Sequence, residues 1–84
     1  MILINVDVYV PALNRTYNFN LEEDAQISHL IREISELICR KEQSTLDGDP
    51  GQLMMGSVER KINFSAQQSL QDYSVKNGDT LILV

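Results

Sequence analysis

The sequence predicts an α+β fold in which a mixed sheet packs on one main helix, with strand and helix order β-β-α-β-β-β. Three observations predict it. Apolar residues alternate with period two from Ile2 to Tyr9 and again from Tyr17 to Leu21. They then switch to helical spacing from Ile27 to Ile38, and return to alternation from Thr80 to Val84 after a strong turn signal. Period two places one side of a strand on a core, whereas a stripe at three- and four-residue spacing places one side of a helix there.

In the first strand Ile2, Ile4, Val6 and Val8 alternate with Leu3, Asn5, Asp7 and Tyr9. Pro11 ends it, because proline has no N–H for the ladder. Pro11 to Arg15 reads as a hairpin connection. Tyr17, Phe19 and Leu21 then alternate with Asn18 and Asn20, a second strand antiparallel to the first.

Ile27, Leu30, Ile31, Ile34, Leu37 and Ile38 form the helical stripe. Asp24 is the expected N-cap, with Glu22 and Glu23 favouring the positive end of the helix dipole. Arg40 and Lys41 suit the negative end. The segment STLDGDPG, residues 44–51, is a loop by its glycines, aspartates and proline.

Gln52 to Met55 is expected as a third strand, ended by a turn or bulge at Gly56. Ile62 and Phe64 flank Asn63 in a brief fourth strand. Ser69 to Tyr73 suits a single helical or 3₁₀ turn capped by Ser69. Lys76-Asn77-Gly78-Asp79 is a turn, since Asn-Gly accepts positive φ. In the last strand Leu81 and Leu83 share one face, and Ile82 and Val84 share the other. One helix shields only one side of such a sheet, so the other meets solvent or a partner.

Bulk properties narrow the function. The chain has 84 residues, enough for a single domain covering 1–84. With 43% hydrophobic and 23% charged residues it has globular rather than disordered composition. A net charge of −5 with no basic cluster argues against nucleic acid and against an anionic membrane surface. No run approaches the ~20 apolar residues of a membrane helix, so no direct insertion is expected. The opening MILINVDVYVP lacks a basic flank and reads as a strand, not a signal peptide. One cysteine, Cys39, precludes an intrachain disulfide and fits a reducing, cytoplasmic setting.

His29 and Cys39 lie ten positions apart on one predicted helix, about 15 Å along its axis, too far for a nucleophile and base. A solvated histidine and a boundary thiol are the plainer readings. Asp47 and Asp49 around Gly48 suggest a Ca²⁺ loop, but the remaining oxygen ligands and the terminal Glu are missing, which favours an ordinary loop. Glu22, Glu23 and Asp24 are better explained by helix capping than by a paired-acid site. The glycines match no phosphate-cradling motif. No catalytic residues, cofactor or metal are expected, and the chain is not expected to be an enzyme.

The closing stretch SLQDYSVKNGDTLILV resembles the end of ubiquitin-like domains, where a Leu-x-x-Tyr turn packs under the helix and a hairpin turn feeds the last central strand. The whole chain most resembles the YukD/EsaB family of ubiquitin-like proteins from Gram-positive bacteria, which accompany type VII (WXG100/ESAT-6) secretion systems. The resemblance implies a ubiquitin-like β-grasp. It also implies a non-catalytic protein-binding adaptor, cytoplasmic or peripheral to a membrane secretion complex, whose partner is a secretion-system component. A homo-oligomer through the open sheet face, or strand pairing at an edge, is left open beside it. The alternative is a ubiquitin-type modifier or sulfur carrier. That role needs a terminal Gly-Gly, and this sequence ends at Val84 within the predicted strand, so the alternative is disfavoured.

A ubiquitin-like register turns Met55 inward and Met54 outward. Ile82 and Val84 face outward too, with Leu13 on the nearby hairpin loop. Leu13, Met54, Ile82 and Val84 are therefore the expected protein-binding patch, ringed by Asn5, Asp7 and Lys76. The plainer alternative is scattered exposed apolar residues.

Overall fold

A computed structural model describes residues 2–43 and 53–84. The expected 44–51 loop, the Asp47/Asp49 reading and Gln52 lie outside the described residues. Strand β1 (Leu3–Val10) turns through a 3₁₀ segment, Pro11–Leu13, into β2 (Arg15–Glu22). Asn14 closes that turn in the left-handed region, φ 50°, a conformation its short polar side chain tolerates. Helix α1 (Ile27–Glu42) follows, then β3 (Met55–Ser57), β4 (Ile62–Asn63), a 3₁₀ turn Gln71–Tyr73, and β5 (Thr80–Leu83).

The sheet order is β2-β1-β5-β3-β4. β1 pairs antiparallel with β2, parallel with β5, and β3 pairs antiparallel with both β5 and β4. Parallel pairing of the first and last strands requires a long connection; it runs through β2, α1, β3 and β4, with α1 carrying the chain from the β2 edge across to β3.

The alternation of β1 decides the layers. Ile4, Val6, Val8 and Val10 are buried, and so are Leu81 and Leu83 beside them on β5. Ile27, Leu30, Ile31, Ile34 and Ile38 of α1 are buried with them in one core cluster. Leu37 departs from the expected stripe and is 46% exposed. At about 100° per residue it sits roughly 80° from the stripe's centre, over the β2 edge of the sheet.

The helix start differs from expectation. Its N-cap is Gln26, with no side-chain cap bond, and no acid lies in the first turn. The Ile27 and Ser28 N–H groups instead donate to the carbonyls of Gln68 and Ala66, at 2.8 and 3.0 Å. Two of the orphan donors of the helix end are thus satisfied by a remote loop. Glu22 ends β2, while Glu23 bonds by its backbone to Ile2 and Gln71.

Gly56 also differs. It is neither turn nor bulge but the middle residue of β3, paired to Ile82 and to Asn63. A Cβ there would collide with the Ile62 carbonyl oxygen of β4. Glycine lets two strand backbones approach where a side chain would part them.

The late turn is capped as expected. Asp72 N–H donates to Ser69 Oγ and Ser69 N–H donates to Asp72 Oδ2, a reciprocal capping pair. Leu70 is fully buried, and the Tyr73 ring stacks on Phe64 at 4.4 Å. Gly78 has φ 88°, as the Asn-Gly turn requires. Asn77 ties that turn to β1: Asn5 N–H donates to Asn77 Oδ1 at 2.7 Å, and Gly78 N–H donates to Asn5 O.

Candidate functional site

The face of the sheet turned away from α1 divides into two halves. Over β1 and β2 it is polar. Asn5 Nδ2 donates to Asn18 and Asn20, and Asn18 Nδ2 donates back to Asn5 Oδ1 and to Asp7 Oδ1, at 2.7–3.0 Å. These bonds cross between neighbouring strands, because Asn5 lies opposite Asn20 and Asp7 opposite Asn18.

Over β5 and β3 the face is mainly apolar, with Thr80 as its polar member on β5. Ile82 lies between Tyr9 of β1 and Gly56 of β3. The next row holds Met54 and Val84, which exchange both backbone hydrogen bonds. Met54 is 48% exposed and Val84 52%, whereas Ile82 is half-buried. Gly56 offers no side chain to cover one flank of Ile82. Val58, also exposed, extends this half, since its N–H donates to Thr80 O.

Met54, Ile82 and Val84 thus lie together on the outer face, and Met55 is fully buried on the inner one. Leu13 sits in the turn after β1, partly buried and packed against the core. Tyr9 and Val58 complete the apolar half and were not singled out from sequence. Alternation with Val8 and Val10 already turned Tyr9 outward. Its place beside Ile82 depends on the parallel β1–β5 pairing, which no local signal encodes.

The arrangement offers contact surface more than chemistry. His29 is solvated on α1 and lies 3.6 Å from Glu33, and Cys39 is half-buried further along. Among the described residues no cluster of three or more His, Cys, Asp or Glu has metal-binding geometry. No described helix is long and apolar enough to cross a membrane. Among the described residues Tyr17 is the group whose titration is displaced. Burial, then the hydrogen bond and charge of Glu42, raise its phenol above the ordinary value of 10.0, against a smaller lowering by Arg15.

Among the described residues, a five-stranded mixed sheet on one main helix, with its outer face uncovered by that helix, defines a ubiquitin-like module. Solved structures share it. The chain is similar to the ubiquitin-like domain of the Mycobacterium tuberculosis type VII secretion system protein ECCD1, at 18% identity and a TM-score of 0.74, covering 100% of this chain and 99% of that one. It is similar to a chain of the MycP5-free ESX-5 inner membrane complex, at 19% identity and a TM-score of 0.77, covering 98% of this chain but 20% of that one. It is also similar to a ubiquitin-like domain from Arabidopsis thaliana, at 12% identity and a TM-score of 0.73, covering 100% and 78%. At these identities the likeness is one of fold. No curated protein matches the sequence.

The family is given by a sequence model that matches residues 3–83: YukD, of the WXG100 protein secretion system (Wss). The chain belongs to the YukD family.

Proposed function

We propose that this protein is a non-catalytic adaptor that docks on a component of a type VII secretion system through the apolar half of its outer sheet face. The carrying observation is the row formed by Tyr9, Ile82 and Gly56 with the Met54–Val84 pair beside it, uncovered by α1. Membership of the YukD family supports the secretion setting. So does the presence of a similar fold in ECCD1 and in the ESX-5 inner membrane complex.

The physical logic is burial on a rigid platform. Removing apolar surface from water contributes about 25 cal/mol per Å², before the costs of association. The strands fix the backbone of Met54, Ile82 and Val84, so little backbone freedom is lost on docking. The amide ladder of Asn5, Asn18 and Asn20 supplies directional contacts at the rim. The net negative charge favours a basic or neutral partner surface. On this reading the protein works in the cytoplasm, at the inner face of the membrane complex. Leu13, packed against the core from the turn after β1, is left out of this patch.

Affinity capture from cells carrying the secretion system tests this, with Met54→Asp and Ile82→Asp beside the native sequence. Loss of the secretion component from both, with native circular dichroism, is the expected result. If both variants fold and retain every partner, the outer-face site is wrong.

A further inference from the structure

The sheet has two edges, and they are treated differently. β4, at one edge, is two residues long. β2, at the other, runs eight residues, RTYNFNLE, in unbroken register with β1. Exposed edges are normally blunted by bulges, prolines, lysines or shortness, because their free N–H and C=O groups template further pairing. β2 has no bulge, proline or lysine, and its two charged residues, Arg15 and Glu22, stand at its ends, leaving Thr16 to Leu21 uncharged.

Its free groups are identifiable. Asn5 and Asp7 spend their backbone bonds on the β5 side, Asn5 O accepting from Gly78 and Asp7 N–H donating to Asp79 O. Ile4, Val6 and Val8 therefore bond β2, through Leu21, Phe19 and Tyr17. The N–H groups of Thr16, Asn18, Asn20 and Glu22 point away from the sheet. Among the described residues no backbone carbonyl outside the ladder accepts them.

Beside this edge, between β2 and α1, runs a groove of two adjoining hollows, about 430 and 240 Å³, that share Phe19 and Leu37. The larger is bordered by Glu22, Glu33 and Glu36 with Arg40. The smaller carries Lys41, whose Nζ lies 5.4 Å from the Tyr17 ring centre. Charge is therefore polarised about a shared apolar centre. A two-fold axis there sets the acidic end of one groove against the cationic end of another.

We infer that β2 is a self-pairing edge whose occupant is the β2 of a second copy, antiparallel, with Phe19 on the two-fold axis. An axis perpendicular to the sheet preserves faces, so opposed residues share a side. With Phe19 at the centre, Tyr17 opposes the second copy's Leu21 on the inner side, and Asn18 opposes its Asn20 on the outer side. Arg15 opposes Glu23. Asn18 and Asn20 are among the residues with free backbone groups, so this register places ladder bonds where donors and acceptors are available. The outer faces of both copies look the same way. Their β5 strands lie five strand spacings apart, about 24 Å.

This rests on the edge and the groove and is independent of the outer-face docking reading. Sedimentation over a dilution series tests it, with amide hydrogen exchange of the native chain read at both ends. Concentration is expected to give a species of twice the 9.5 kDa monomer mass. It should protect the Thr16, Asn18, Asn20 and Glu22 amides together. Asn18→Lys/Asn20→Lys opposes like charges and should weaken dimerisation at least about tenfold. Asn18→Lys/Asn20→Glu loses the same amide ladder but opposes unlike charges, and should dimerise again.

A chain that stays monomeric at every concentration overturns the inference. So does concentration without protection of those four amides, or a folded Lys/Glu variant that fails to recover. Self-association abolished by Met54→Asp but untouched at β2 would place the interface on the outer face and overturn it too. A monomeric chain whose β2 amides are protected only by an extended segment of another protein would identify a different occupant and equally overturn it.

Discussion

Met54 and Val84 exchange both of their backbone hydrogen bonds, Met54 N–H to Val84 O at 2.6 Å and Val84 N–H to Met54 O at 2.9 Å. Directly opposed residues of an antiparallel pair point to the same side of the sheet. That pairing brings two exposed apolar side chains together on the outer face and sends Met55 and Leu83 into the core. It extends the β3–β5 ladder one step beyond the regular strands. A shift of one residue would exchange the outer and inner sets.

Gly56→Ala should be disruptive even though Gly56 has ordinary strand geometry. Its new Cβ meets the Ile62 carbonyl, a backbone atom that yields only if β4 moves. A loss of about 2 kcal/mol is expected from overpacking at such a contact. Chemical denaturation should record it, with faster amide exchange in β3 and β4.

The two candidate caps should respond oppositely. Asp24→Ala should change stability by less than about 0.5 kcal/mol, because the α1 amides are held by Ala66 and Gln68 carbonyls. Ser69→Ala removes one half of a reciprocal capping pair and should cost about 1 kcal/mol. Thermal melts of the two variants decide it; a large effect at Asp24 with none at Ser69 would contradict this structure.

Those caps show where sequence reading succeeds and where it stops. Period two in Ile4–Val10 and helical spacing in Ile27–Ile38 report burial directly, because the signal lies within each element. The separation of Met54 from Met55 was legible for the same reason, given the register. The α1 cap was not, since its acceptors come from residues 66–68 on another part of the chain. Leu37 has the spacing of a core residue but hangs past β2, and only the width of the sheet reveals that. Gly56 looked like a turn because its steric reason lies in the neighbouring strand. Of the candidate site, Ile82 and Val84 follow from alternation alone. Tyr9 and Val58 join them only once the strand order is known.

Tyr17 should titrate above an ordinary tyrosine. Its ring is buried and its hydroxyl donates to Glu42 Oε1 at 2.7 Å, so the neutral phenol is favoured. The folded state then holds this proton more tightly than the unfolded chain. The resulting stabilisation is fully present below pH 10, the unfolded value, and is lost as pH rises through the folded one. Phenolate absorbance, assigned by difference from Tyr17→Phe, should show this. In Glu42→Gln the value should fall part of the way back, since burial remains. A Tyr17 that ionises at or below 10 would contradict the burial of its ring and the placement of Glu42 beside it.

The central claim is that the outer face recognises a secretion component, and equilibrium binding to the purified inner-membrane complex of the same organism tests it most directly. Met54→Asp and Val84→Asp sit on exposed positions, so native circular dichroism is expected for both. Each should weaken binding at least about tenfold, the scale of one well-buried interface side chain. Two folded variants that bind as tightly as the native chain would contradict the claim.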